Sequence, residues 1–299
     1  MSAKPTAVAI NGPVQGAATS VASRPVVKLL VAEWARVRDW RIGQLQKLGN
    51  VQVYRESPLT ADDILAFGAE QVVIATGILN LWMHTPAETA ANYAALTAAH
   101  GDRFLLGIGV SHAPLIDASE PGRYRKPLAA TREYLDGLDA ADQPVPVQNR
   151  VLAALGPKML ALAAGRSRGA HPYLTTPEHT ATARAELGAG PLLLPEQGVV
   201  LSTDPAEART IAADFLRGYL ALPNYANNLL RSGFTEEDIS SISDRLIDAI
   251  IAWGDEDAIL RRIDEHRAAG ADHVCVQVLT GDPREFPKEQ WRRIAAALH

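Results

Sequence analysis

Short apolar runs, each closed by glycine or a small polar residue, recur along the chain with segments of helical spacing between them. The run Phe104-Leu105-Leu106-Gly107-Ile108-Gly109 opens into Val110, Ser111 and His112, which is how a buried parallel strand reads when it feeds a functional loop. Its two glycines let another group approach the backbone closely. Gln71 to Gly77 has the same form, and so has Asp272 to Gly281. A core strand ending in an ordinary turn accounts for any one of them. Their repetition favours a functional reading.

The pattern predicts strands over 25–31, 51–54 and 72–75. Helices are expected over 33–48, stopped by Gly49-Asn50, and from Thr60 to Phe67. Thr85-Pro86 reads as an N-cap followed by proline at the first helical position, opening a helix that runs to His100. Beyond the strand at Phe104, a helix is expected over 125–138, an apolar run over 150–155 and a helix over 159–164. A short strand over 169–174 follows, then a helix from Thr176-Pro177 to Leu187 and a strand ending near Leu201. Thr203-Asp204-Pro205 starts a helix carrying Leu216, Tyr219 and Leu220, and Thr235 and Ser243 start two more. A long helix over 258–269 stops at Gly270, before a last strand and helix.

Strands and helices thus alternate from near residue 25 to the end, the mark of a parallel sheet with helices on its faces. Roughly eight such units in about 250 residues close most economically as a (β/α)8 TIM barrel, with a doubly wound open parallel sheet as the alternative. Residues 1–24, rich in Ala, Ser, Val, Gly and Pro without a period, read as a disordered extension ahead of a single domain over 25–299.

Composition narrows the partners. The chain has 299 residues, 47% of them hydrophobic, ample for a sizeable core. Its net charge is -5 and no basic tract stands out, which argues against a nucleic-acid partner. Cys275 is the one cysteine, so there is no disulfide framework and no CxxC metal site. A buried thiol in a reducing cytoplasm is the expectation. No apolar run is long enough to span a bilayer, and the N-terminus lacks the regions of a secretory signal. No metal-ligand spacing, no Gly-x-Ser-x-Gly elbow and no early Gly-x-Gly-x-x-Gly are present.

Val73 to Trp82, Phe104 to His112, Leu155-Gly156-Pro157-Lys158-Met159, Gly169 to Tyr173 and Leu194-Pro195-Glu196-Gln197 carry a resemblance that Asp244-Arg245-Leu246 and Ala271 to Val274 continue. From about Val72 onward the chain resembles the bacterial-luciferase-like superfamily of flavin- and deazaflavin-dependent oxidoreductases, most of all its coenzyme F420-dependent members. The family fold is a (β/α)8 barrel. The stretch from Glu33 to Gly77 is more similar to the dinucleotide-binding region of trimethylamine-dehydrogenase-like flavoproteins, so a divergent or fused origin is implied for residues 25–77.

The resemblance implies a cofactor ring at the carboxyl ends of the strands. Thr76, Gly77 and Ile78 match the third-strand bulge, often built with a non-prolyl cis peptide, and Gly109, Val110 and Ser111 match the fourth-strand lining. A plain strand-to-loop turn is the simpler account of these positions. His112 falls where some relatives place an acid, and a histidine can give or take a proton near neutral pH; a structural histidine is the alternative. Leu155, Gly156, Pro157, Lys158 and Met159 join a strand end to a helix start, which suits a phosphate, or else form a capped helix with Lys158 in solvent. His171 and Tyr173 either face substrate or pack, and Asn80, Trp82 and His84 are placed at the pocket rim.

The implied function is hydride transfer between coenzyme F420 and a small organic substrate, in a homodimer. The alternatives are an FMN-dependent monooxygenase, or a barrel without cofactor that is inactive or binds another small ligand.

Overall fold

The computed structural model describes residues 26–29, 73–282 and 287–298. The expectations for 1–24, 33–48, 51–54 and 60–67 fall outside the described residues. Two compact units result. One holds the described part of Pro13–His171 together with Glu186–Leu192; the other holds Pro172–Ala185 and the described part of Leu193–His299.

The first unit is built on strands β1 (Val26–Leu29), β2 (Val73–Thr76), β3 (Leu79–Asn80), β4 (Phe104–Gly109), β5 (Arg150–Leu152), β6 (Gly169–Ala170) and β7 (Leu192–Leu193). Its helices are α1 (Pro86–His100), α2 (Ala113–Ser119), α3 (Pro127–Asp139) and α4 (Pro157–Arg166). The sheet order is β1-β2-β4-β5-β6-β7, with β3 also on β4. Every register recorded between these strands is parallel. Neighbours in the sheet follow chain order, whereas a doubly wound sheet reverses direction at a switch point. The order therefore favours the barrel-type expectation over the open sheet.

The expected Thr85-Pro86 start is found as a full capping box: the Thr85 side chain accepts from the Glu88 N–H, and Glu88 accepts from the Thr85 N–H, so two orphan amide groups are satisfied at once. The helix expected over 125–138 spans Pro127–Asp139. A short helix the pattern did not show, α2, lies before it. The strand expected over 169–174 has only two ladder residues, because Pro172 has no N–H to give and Leu174 sits at φ 53°. Arg150 is fully buried, with its charge paired to Asp139 at 2.7 Å and its Nε donating to the Arg166 carbonyl at 3.0 Å.

The second unit holds β8 (Glu196–Val200), β9 (Ile251–Trp253) and β10 (Cys275–Val278), with helices α5 (Pro177–Leu187), α6 (Pro205–Leu220), α7 (Pro223–Arg231), α8 (Glu236–Ser241), α9 (Asp244–Ile250), α10 (Glu256–Ala268) and α11 (Lys288–Ala297). β8 is central, flanked in parallel by β10 and β9. Val199, Val278 and Val274 pack with Ile259 and Ile263 of α10 and Ile294 of α11, which defines the helix-covered face of this sheet. Strand β9 and helix α7 were not expected from the pattern. On the same face His266 is fully buried, its Nδ1 2.8 Å from the Thr180 hydroxyl and its Nε2 2.9 Å from Gln197 Oε1. Gln197 donates its amide to the carbonyls of Gly198 and Ile250. Its oxygen is therefore the acceptor, and His266 is the neutral Nε2–H tautomer.

Candidate active site

The end of the first unit's sheet is organised by a bulge. Ala75 pairs with Leu105 and Leu79 pairs with Ile108, so four steps on one strand face three on the other. One residue is extra, as in a β-bulge. The Thr76 side chain fills the break: its hydroxyl accepts from the Gly107 N–H at 2.8 Å and donates to the Gly107 carbonyl at 2.9 Å. A side chain thus takes the two hydrogen bonds that the interrupted ladder would have made. The Gly77–Ile78 peptide in this bulge is cis.

Glycine is required beneath the bulge. A Cβ on Gly107 would lie 2.1 Å from the Thr76 carbonyl oxygen, and one on Gly109 would lie 2.1 Å from Ile78 Cδ1 and 3.2 Å from Ala153 Cβ. Ile78 therefore lies across the bare Cα of Gly109, next to β5. Because Val has the shape of Thr without the hydroxyl, Thr76→Val should cost roughly 1–3 kcal/mol, read by urea unfolding. An unchanged midpoint would contradict this reading of the bulge.

Beyond the strands the chains stay laterally bonded. The Leu81 N–H donates to the Gly109 carbonyl (3.1 Å), Ala153 to Ile108 (2.8 Å) and His171 to Leu152 (2.8 Å). This row brings the ends of β3, β4, β5 and β6 side by side. The residues it presents, Ile78, Val110, Ser111, His112, Leu155 and Gly156, are all half-buried. Two aromatic rings fix the β4 end: Trp82 Nε1 donates to the Val110 carbonyl at 2.7 Å and the Tyr124 hydroxyl to the Ser111 carbonyl at 3.4 Å, the rings lying 5.8 Å apart. Burial raises the Tyr124 hydroxyl pKa, and the charge of Asp117 adds to it, which keeps that donor protonated. Ser111 is left-handed at φ 56°, a conformation that costs a serine about 1 kcal/mol or more and gathers at functional sites.

Among the expected site residues, Thr76, Gly77, Ile78, Gly109, Val110 and Ser111 lie together at the bulge and the β4 end. His112 follows directly, at the N-cap of α2. Asn80 is buried and its oxygen accepts the Trp82 N–H at 3.1 Å, so its side chain holds the β3 turn. His84 is half-buried and its pKa is lowered by that burial, against the opposing pull of Glu88. Gly156 caps α4 with no side-chain hydrogen bond, Pro157 is its first residue, and Lys158 is exposed. His171 is buried beside β5. Tyr173 belongs to the second unit, where its hydroxyl donates to Gln277 Oε1 at 2.8 Å. Gly107 is expected only as a point of close backbone approach and not as a site residue, and Gln277 is not expected at all. Their signals were a glycine inside an apolar strand and one amide inside the run Val274 to Leu279.

The donor set suits a flat aromatic cofactor with an anionic tail. Glycine-bared backbone and apolar or hydroxyl side chains line the strand ends, and Lys158 stands at a helix start whose amide groups no side chain caps. Among the described residues no three His, Cys, Asp or Glu groups are gathered to hold a metal ion, and no helix is long and apolar enough to cross a membrane.

Comparison with known proteins places this architecture. A relative from Mycobacterium tuberculosis, provisionally named a coenzyme F420-dependent oxidoreductase, is 28% identical over 77% of this chain and 83% of its own. An F420-dependent secondary alcohol dehydrogenase, solved with an F420–acetone adduct, superposes with a TM-score of 0.61 at 14% identity over 92% of this chain and 98% of that one. The oxygenating constituent of 3,6-diketocamphane monooxygenase from Pseudomonas putida, solved with FMN, gives a TM-score of 0.57 at 15% identity over 92% and 88%. These superpositions show the shared fold, the luciferase-like barrel type. Dimethylamine dehydrogenase from a Hyphomicrobium species is 48% identical over 52 residues, 16% of this chain and 7% of its own. This short match lends limited weight to the expected second resemblance. The family model of luciferase-like monooxygenases matches residues 48–143 and 137–273. An oxidoreductase by kinship, the chain belongs to the luciferase-like monooxygenase family.

Proposed function

We propose that the protein transfers a hydride between coenzyme F420 and a small organic substrate, with FMN as the alternative cofactor. The observation that carries this is the row of half-buried residues at the ends of β3, β4, β5 and β6, floored by glycine and adjoining the uncapped start of α4. A deazaflavin or flavin, when bound, supplies the hydride chemistry itself. Thr76, Gly77, Ile78, Gly109, Val110 and Ser111 form its seat. In the turn Leu155 to Met159, the Gly156 and Lys158 N–H groups, the helix dipole and the Lys158 cation hold the phosphate, while Pro157, which has no N–H, fixes the first helical turn. His112, at the rim, gives or takes the substrate proton. Trp82 and Tyr124 keep the β4 end in place, and His171 belongs to the substrate side. The kinship with the Mycobacterium tuberculosis relative favours F420, and the FMN-bound neighbour keeps the flavin in view.

Gly156→Asp separates binding from folding. Aspartate is a favoured N-cap, so α4 is kept. Its carboxylate then occupies the anion position and repels a phosphate. F420 affinity, read by fluorescence titration, should fall about tenfold or more, near 1.4 kcal/mol, with the melting temperature held. Unchanged affinity would remove α4 from the cofactor site.

A further inference from the structure

The second unit's sheet has a face turned away from α10 and α11, and it carries one polar group that nothing in the cofactor seat explains. Side chains alternate along a strand. Val276 and Val278 pack on the helix-covered side, so Gln277 points to the opposite face. Its register partner is Gly198, which brings no side chain beside it. Gln277 is 8% exposed. Its Oε1 is held by the Tyr173 hydroxyl at 2.8 Å, which fixes the amide and leaves Nε2 as the free end. No residue of the described chain accepts a hydrogen bond from Nε2. Nε2 is not among the sealed, unpartnered polar atoms of the described residues, so the fixed amide offers an accessible donor to an acceptor that a ligand brings.

The surroundings state what that acceptor is. Tyr173, Tyr219 and Tyr225 stand edge to face, with centroids 5.3, 6.0 and 5.7 Å apart. Burial raises the pKa of all three hydroxyls, so the wall is uncharged. Tyr173 and Tyr219 are only half-buried, which leaves the cluster open on one side. An uncharged aromatic wall with a single aimed N–H donor fits a neutral ligand that bears a carbonyl oxygen.

We propose that Gln277, oriented by Tyr173, donates its Nε2–H to the carbonyl oxygen of a neutral, largely apolar organic ligand and selects for that group. The test is side-chain amide NMR on 15N-labelled protein, with the Gln277 resonances identified by their loss in Gln277→Leu. The probes are cyclohexanone and methylenecyclohexane, alike in shape but with an oxygen on the first alone. The expected result is a saturable shift of the Gln277 amide with cyclohexanone and none with methylenecyclohexane. Tyr173→Phe, which keeps the ring, should weaken the cyclohexanone response about fivefold. Equal shifts with both probes, or none with either, would overturn the proposal, and this comparison needs only the wild-type protein. Cofactor titration reads a separate signal: a Gln277 response without any F420 or FMN binding would keep this site and remove the proposed hydride transfer with either cofactor.

Discussion

Gly107→Ala should destabilise the protein by about 3 kcal/mol or more, lower its melting temperature by roughly 6–12 °C and remove cofactor binding with it. The added methyl would sit 2.1 Å from the Thr76 carbonyl oxygen. That oxygen is backbone, and its residue is tied to Gly107 by two hydrogen bonds through its own hydroxyl, so relief requires the two strands to separate. Gly109→Ala meets an equally short contact, but with Ile78 Cδ1. A side-chain terminus can move to another rotamer, so the stability loss should be nearer 1 kcal/mol. Because Ile78 is part of the proposed ring seat, its displacement should still weaken cofactor binding. Thermal unfolding of the two variants side by side checks the contrast. Equal losses would show that the bulge is not pinned as described.

The second large effect is on acid stability. The buried His266 has its pKa lowered from 6.5 to about 4, chiefly by burial, with Arg262 and His179 adding to the shift and Glu178 opposing it. The folded state therefore favours the neutral ring. Below pH 6.5 the unfolded chain takes up a proton that the folded chain does not, so stability rises with pH in this range. The contribution is complete above about pH 6.5 and is lost as pH falls toward 4, for a total of about 3 kcal/mol. Urea unfolding at pH 7.5 and at pH 4.5 should show the wild type losing most of this amount. His266→Gln should be weaker at pH 7.5 but should lose about 3 kcal/mol less on acidification. Parallel losses in both proteins would assign the acid sensitivity to other groups.

What the sequence made legible follows from how local each signal is. Thr85-Pro86-x-Glu88 sets a capping box by itself, and it appears as expected. The strand at Phe104 is long and apolar enough to need no partner for its reading, and it is found over Phe104–Gly109. The break between β2 and β3 was not legible as a register change, because a threonine hydroxyl replaces ladder bonds that periodicity counts only on the backbone. The short reach of β6 depends on Pro172 and on the left-handed Leu174, which an apolar window averages away. Tyr219 was visible as a helix residue, but its meeting with Tyr173 and Tyr225 is made by the fold. The strand-end residues Thr76, Gly77, Ile78, Gly109, Val110 and Ser111 were named from family resemblance, and the structure brings them together. Gly107, which the same run contains, acquires its role only through contact with Thr76.

Fluorescence titration of the purified protein with F420, with FMN run in parallel, tests the central claim most directly. The account predicts saturable F420 binding that is tighter than FMN binding and is weakened by Gly156→Asp. Binding of neither cofactor at concentrations up to about 100 μM, equivalent to roughly 5.5 kcal/mol, would contradict it and leave a luciferase-like barrel that serves another ligand.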